Sequence, residues 1–156
     1  VSGRYAERTD VSSDRSRAEI ERVLQRYGAT AFQYGWTIGV AAIMFEIAGR
    51  RILFRLPLPD PNERRFTHTP GKGLLRDQAA REKEYEQAVR QRWRALALVI
   101  KAKLEATAAG ITTVEQEFLA HILLPDGRTV GEHVTPAIAA AYESGQMPAL
   151  LPGGES

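Results

Sequence analysis

The sequence predicts an α+β domain: an N-terminal helix, a three-stranded antiparallel sheet, a long helix packed on the sheet, and a small C-terminal helical subdomain. Three observations carry that expectation. Apolar residues recur at helical spacing up to Tyr27, then alternate at spacing two through residues 29–59, then return to helical spacing from residue 74 to 108. With 156 residues the chain is the size of one domain and can bury a sizeable core. The expected organisation is a loose N-terminus at 1–10, a single domain over 11–147, and a tail at 148–156.

In the first helix Ile20, Val23, Leu24 and Tyr27 form one apolar stripe. Ser12, Ser13 and Ser16 are candidate N-caps, Ser16 and Glu19 have capping-box spacing, and Gly28 suits the terminus. Strands are expected at 30–36, 40–47 and 50–58, separated by Gly39 and by Ala48-Gly49. Ile52, Phe54, Leu56 and Leu58 alternate onto one face, matched by Ile43, Phe45 and Ile47 and by Phe32, Tyr34 and Trp36. The opposite face, with Gln33, Ala42, Met44, Glu46, Arg51, Leu53 and Arg55, is too apolar for plain solvent surface and too charged for core. Residues 60–73, DPNERRFTHTPGKG, read as a basic linker, long enough to suggest either function or disorder.

The long helix, expected at 74–108 and ended by Gly110, contains RQRWRALALVIKAK, with five basic side chains and no acid. Val89, Trp93, Leu96, Ala97, Ile100 and Leu104 share one face, which makes Trp93 a core anchor. Residues 95–100 are apolar nearly all round, so burial on a second side, against the C-terminal helices, is expected. The flanking cations can lay their stems over apolar surface and keep their charge in water. Beyond this helix, Thr112 or Thr113 can cap a third helix reaching Leu123, with Thr112 and Glu115 at capping-box spacing. LPDGR is a turn, and Thr135-Pro136 marks the start of a last helix, AIAAAYES.

Composition narrows the chemistry. The chain has no cysteine, which excludes disulfides, thiolate metal sites and thiol catalysis. Its longest apolar run, ALALVI, is far short of a membrane span, and the first 19 residues hold no apolar signal region, so a cytoplasmic location without membrane association is expected. The net charge is only +2, so local basic patches matter more than the sum. GKG at 71–73 lacks phosphate-loop spacing and reads as a turn. Glu117 and His121 lie one turn apart but lack a third ligand, and His133 with Asp126 lacks a serine in a nucleophile-elbow context. No enzyme, cofactor or metal is therefore expected.

The stretches SRAEIERVLQRYGAT, AIMFEIAGRRILFRLPLPD, RQRWRALALVIKAKLEA and ILLPDGRTVGEHV resemble a family of short, uncharacterised proteins encoded by bacteriophages, prophages and some bacteria. The resemblance implies a mobile-element setting and brings no activity or site residues with it. The order helix, three-stranded meander, long basic helix is also similar to the core of single-strand-annealing recombinases, a likeness of topology alone.

Two functional expectations follow. The first is a non-catalytic accessory protein holding DNA or RNA through backbone phosphates, using Arg64, Arg65, Lys72, Arg76, Arg90, Arg94 and Lys101. The second is a protein-interaction module, binding a host or phage protein or forming a homo-oligomer, through the mixed sheet face at Met44, Leu53 and Arg55.

Overall fold

A computed structural model describes the backbone of residues 2–149 and side chains from residue 12 to 149. Helix α1 spans Ser2–Arg26 and leads into strands β1 (Ala31–Thr37), β2 (Val40–Ile47) and β3 (Arg50–Pro57). The short α2 (Arg64–Thr67) and the long α3 (Gln78–Ala108) follow. The chain ends with α4 (Val114–Glu117), a 3₁₀ turn at Leu119–His121, and α5 (Val130–Ser144). This is the α+β architecture that the sequence predicts.

The strands form one antiparallel sheet in the order β1-β2-β3. Phe45 stands opposite both Phe32 and Ile52, and Ile43 opposite both Tyr34 and Phe54, so the alternating apolar residues share one face. The β2–β3 hairpin turns on Ala48 and Gly49, with φ of 50° and 72°, and two left-handed central residues identify a type I′ turn. That conformation suits Gly49 and strains Ala48, whose Cβ crowds the following carbonyl.

Helices α1 and α3 cover the apolar face. Trp93, Val89, Ile100 and Leu104 of α3 are completely or almost completely buried with Ile20 and Leu24 of α1 and Ile43, Phe45 and Ile52 of the sheet. Trp93 meets the Tyr34 ring edge-on at 5.7 Å, which fixes the register of α3 over β1. Phe118 closes the far end of this core, edge-on to Phe45 and Phe54 at 5.7 and 6.2 Å.

Several boundaries differ from expectation, each for a local reason. α1 begins at Ser2, so Ser12 and Ser13 are not caps but buried residues within the helix, and Ser13 accepts a hydrogen bond from Arg17 Nε. Residues 2–10, expected to be loose, are helical. α3 starts at Gln78 rather than 74, because the Asp77 carboxylate accepts from Ala80 N at 2.8 Å. The third helix is one short turn, α4, capped reciprocally by Thr113 and Gln116 rather than by Thr112 and Glu115. α5 is capped by Thr129 and starts at Val130, so Pro136 lies inside it. Proline cannot donate to the Glu132 carbonyl, which instead accepts from Arg128 Nη2 at 3.2 Å. The predicted tail lies outside the described residues from residue 150 on.

The C-terminal segment wraps the outer edge of β3. Ile122 bridges Ile52, Leu123 N donates to Arg51 O at 2.8 Å, and Val130 N donates to Ile122 O at 2.9 Å. The chain thereby passes from the covered sheet face to the other one, and β3's edge is partly paired.

Trp93→Ala should cost about 3–5 kcal/mol in a chemical denaturation experiment, the range for a fully buried large aromatic. Trp93→Phe should cost much less, because Trp93 Nε1 has no hydrogen-bond partner among the described residues. Ala48→Asn should raise stability by about 1 kcal/mol, read as a higher denaturation midpoint, since asparagine tolerates the left-handed turn.

Candidate functional site

The expected basic linker is a folded loop. Phe66 of α2 is buried against Tyr85 of α3, with ring centroids 5.5 Å apart, and this contact pins the loop to the N-terminal half of α3. His68 bridges Leu75, Thr69 N donates to Leu74 O, and Arg76 N donates to Thr67 O, which closes residues 69–74 into a tight hairpin. The loop walls a depression of about 570 Å³ lined by Arg64, Arg65, His68, Gly73, Arg76 and Glu84, among others. Lys72 sits exposed in the hairpin.

These cations differ in their surroundings. Arg65 pairs with Glu63 at 2.7 Å and lies over the Phe66 ring, while Arg76 pairs with Glu84 at 3.5 Å and donates to His68 O. Arg64 and Lys72 have no ion-pair partner among the described residues.

Arg90, Arg94 and Lys101 are exposed on one side of α3. Arg90 lies 4.0 Å from Glu86, a loose pair one turn back. Lys101 is 17 residues beyond Glu84, about 25 Å along the helix at 1.5 Å per residue. The seven predicted phosphate ligands therefore fall on two surfaces, the loop and the helix flank, and do not converge. Arg92 and Lys103 on the opposite flank are structural, donating to the carbonyls of Pro57 and Glu117.

Apolar exposure is the larger surprise. Leu98 and Val99 are 62% and 44% exposed, so α3 is buried on one side only and the C-terminal helices do not cover residues 95–100. No described residue of α5 is buried, although the helix is mainly apolar: Ile138 is 45% and Tyr142 89% exposed. α5 is seated at its N-terminal end alone. Gly131 lies so close to Ala120 that a Cβ would stand 2.8 Å from the Ala120 carbonyl oxygen. Glu132 binds both Arg55 of β3 and Arg128, and Thr129 caps the helix through Glu132 N. Of the predicted interface residues, Arg55 and Leu53 thus line a cleft of about 540 Å³ beneath the start of α5, while Met44 stays half-buried on the open part of the sheet. The sequence signal for this surface is the uncharged run Val134–Tyr142, whose exposure local pattern alone does not reveal.

The histidines have structural roles. His133 Nε2 stands 2.5 Å from Asp126 Oδ2 and ties α5 to the Asp126-Gly127 turn. The Arg128 backbone N–H and then His133 hold the Asp126 carboxyl below its ordinary range. The serine of the same helix, Ser144, is about 16 Å further along and donates to the Ala140 carbonyl. His121 stacks on Phe54 at 3.9 Å, and Glu117 faces Lys103 at 3.4 Å. Among the described residues no three His, Asp or Glu side chains form a metal-sized cluster, and no helix is long and apolar enough to cross a membrane.

No family model, curated protein or solved structure matches this chain. Function is therefore read from its own surface.

Burial, and then the positive charge of Lys103, lower the His121 pKa below its ordinary 6.5, against a smaller opposing hydrogen bond with the Leu53 backbone. The unfolded chain then binds a proton that the folded one resists. Stability should be full above pH 6.5 and fall as the pH drops through the lowered pKa. Denaturation midpoints measured across that window should slope downward toward acid, and His121→Phe should flatten the slope while keeping the stack on Phe54.

Proposed function

We propose that this chain is a protein-interaction module that self-associates through α5 and the adjoining open face of the sheet. The observation that supports it is an apolar helix with no buried residue. Val134–Tyr142 carries no charge, and Ala137, Ala139, Ala140 and Ala141 keep its surface low. Leaving such a helix in water forgoes roughly 25 cal/mol for each Å² of apolar surface, a cost that association removes.

A second copy is the occupant that this surface fits best. An uncharged strip is self-complementary, since two copies meet without like-charge repulsion, and a two-fold axis places the same strip on both partners. One exposed side of a 15-residue helix is smaller than the roughly 800 Å² per partner of a stable interface. The contact therefore extends to the neighbouring sheet face, where Met44 and Leu53 are half-buried and Arg55 is fixed by Glu132. The helix-flank cations Arg90, Arg94 and Lys101 are accounted for as a solvated edge around the α3 core stripe.

The intact chain should sediment at about twice its monomer mass of 17.3 kDa at concentrations on the order of tens of micromolar. Ile138→Glu together with Tyr142→Lys should return it to monomer with an unchanged circular dichroism spectrum, because both side chains are exposed within one chain. A wild-type monomer under those conditions overturns the proposal.

A further inference from the structure

The hairpin between β3 and α3 brings uncommitted hydrogen-bond donors together. Gly71 and Gly73 take φ of 77° and 64°, a left-handed backbone that only glycine adopts without strain. Among the described residues the amides of Gly71, Lys72 and Gly73 donate to no protein acceptor. The Arg64 guanidinium lies directly against this backbone, since a Cβ on Gly73 would stand 3.0 Å from Arg64 Nη2. Arg64 itself has no carboxylate or carbonyl partner among the described residues.

The acids nearby do not cancel this arrangement. Glu63 is held by Arg65, and Glu84 by Arg76. Asp60 accepts from Asn62 N and Asp77 from Ala80 N, so Arg64 and Lys72 are the cations of this loop with no carboxylate in ion-pair contact among the described residues. A planar guanidinium beside backbone N–H groups in a left-handed hairpin is the donor set that suits a tetrahedral, doubly accepting oxyanion. The rim lysine adds attraction at longer range.

We propose that the loop is a phosphate-binding site, in which Arg64 and the amides of Gly71, Lys72 and Gly73 hold one phosphate group. This inference does not rest on self-association through α5. Two sources present that chemistry: the backbone of a nucleic acid, and a free phosphate or small phosphate ester.

The test is a titration of the full-length, nitrogen-15-labelled protein at low salt, followed by amide and arginine side-chain resonances. The probes are inorganic phosphate, and single- and double-stranded oligonucleotides of mixed sequence. The expected result is saturable movement of the Gly71, Lys72, Gly73 and Arg64 Nε–H signals. Arg64→Ala should weaken the interaction about tenfold, as for loss of a charged hydrogen-bonding group, with the thermal midpoint unchanged. Arg64→Lys should fall between, keeping charge without the fork. Tighter binding of oligonucleotides than of phosphate, with a salt slope reduced by about one in Arg64→Ala, assigns the site to a nucleic-acid backbone. Equal or weaker binding of oligonucleotides assigns it to a small phosphate compound. No movement of these signals with any probe overturns the inference. So does movement that Arg64→Ala leaves intact, which would show diffuse attraction to the other cations.

Discussion

The constraint on which this structure depends is that a three-stranded meander has one apolar face, which must be buried against another element. Phe45, Ile43, Ile52 and Phe54 must be covered, and Trp93 is the side chain around which the cover is organised. Its large ring sits against Tyr34, with Val89 one turn before and Ile100 two turns after on the same stripe. α1 lies beside α3 and adds Ile20, Val23 and Leu24 to the same core. Phe118 then seals the end where β2 and β3 would otherwise admit water.

That arrangement leaves the second sheet face and the C-terminal helix as the unsolved part of the packing. The chain rounds the β3 edge through Ile122 and Leu123, so α5 meets the main core only through Val130 at its start. It is fastened by polar contacts at one end: Thr129, Glu132 with Arg55 and Arg128, and His133 with Asp126. Gly131 permits the close approach to Ala120 on which that attachment turns. Held at that one end, the helix leaves Ile138 and Tyr142 exposed along the rest of its length.

The basic loop shows a similar division. Its basic composition was legible, but the expectation that no helical acid lies near it fails, since Glu84 of α3 pairs with Arg76. Which cations remain available was not legible, because pairing is set by contacts across the fold. Glu84 lies eight residues after Arg76 and reaches it only because the loop folds back on α3 through Phe66 and Tyr85. Phe66, in the middle of a polar stretch, was the one sequence sign that the loop has its own anchor. Arg64 and Arg65 are adjacent in sequence, yet one lies over the glycine hairpin and the other over an aromatic ring.

The sequence by itself determined the class of fold, the alternation of strand residues between two faces, the hairpin turn positions and the core stripe of α3. These follow from periodicity and local backbone preference, which act over a few residues and survive in any compact arrangement. It did not determine where α3 and α4 begin, because caps compete: Asp77 and Thr113 prevailed over equally plausible neighbours through geometry set elsewhere. Nor did it determine whether Leu98, Val99 and Ile138 are core or surface. Their apolar character is local, but burial depends on what the remainder of the chain places against them. Only the tertiary structure decides that, and among the described residues it leaves all three exposed.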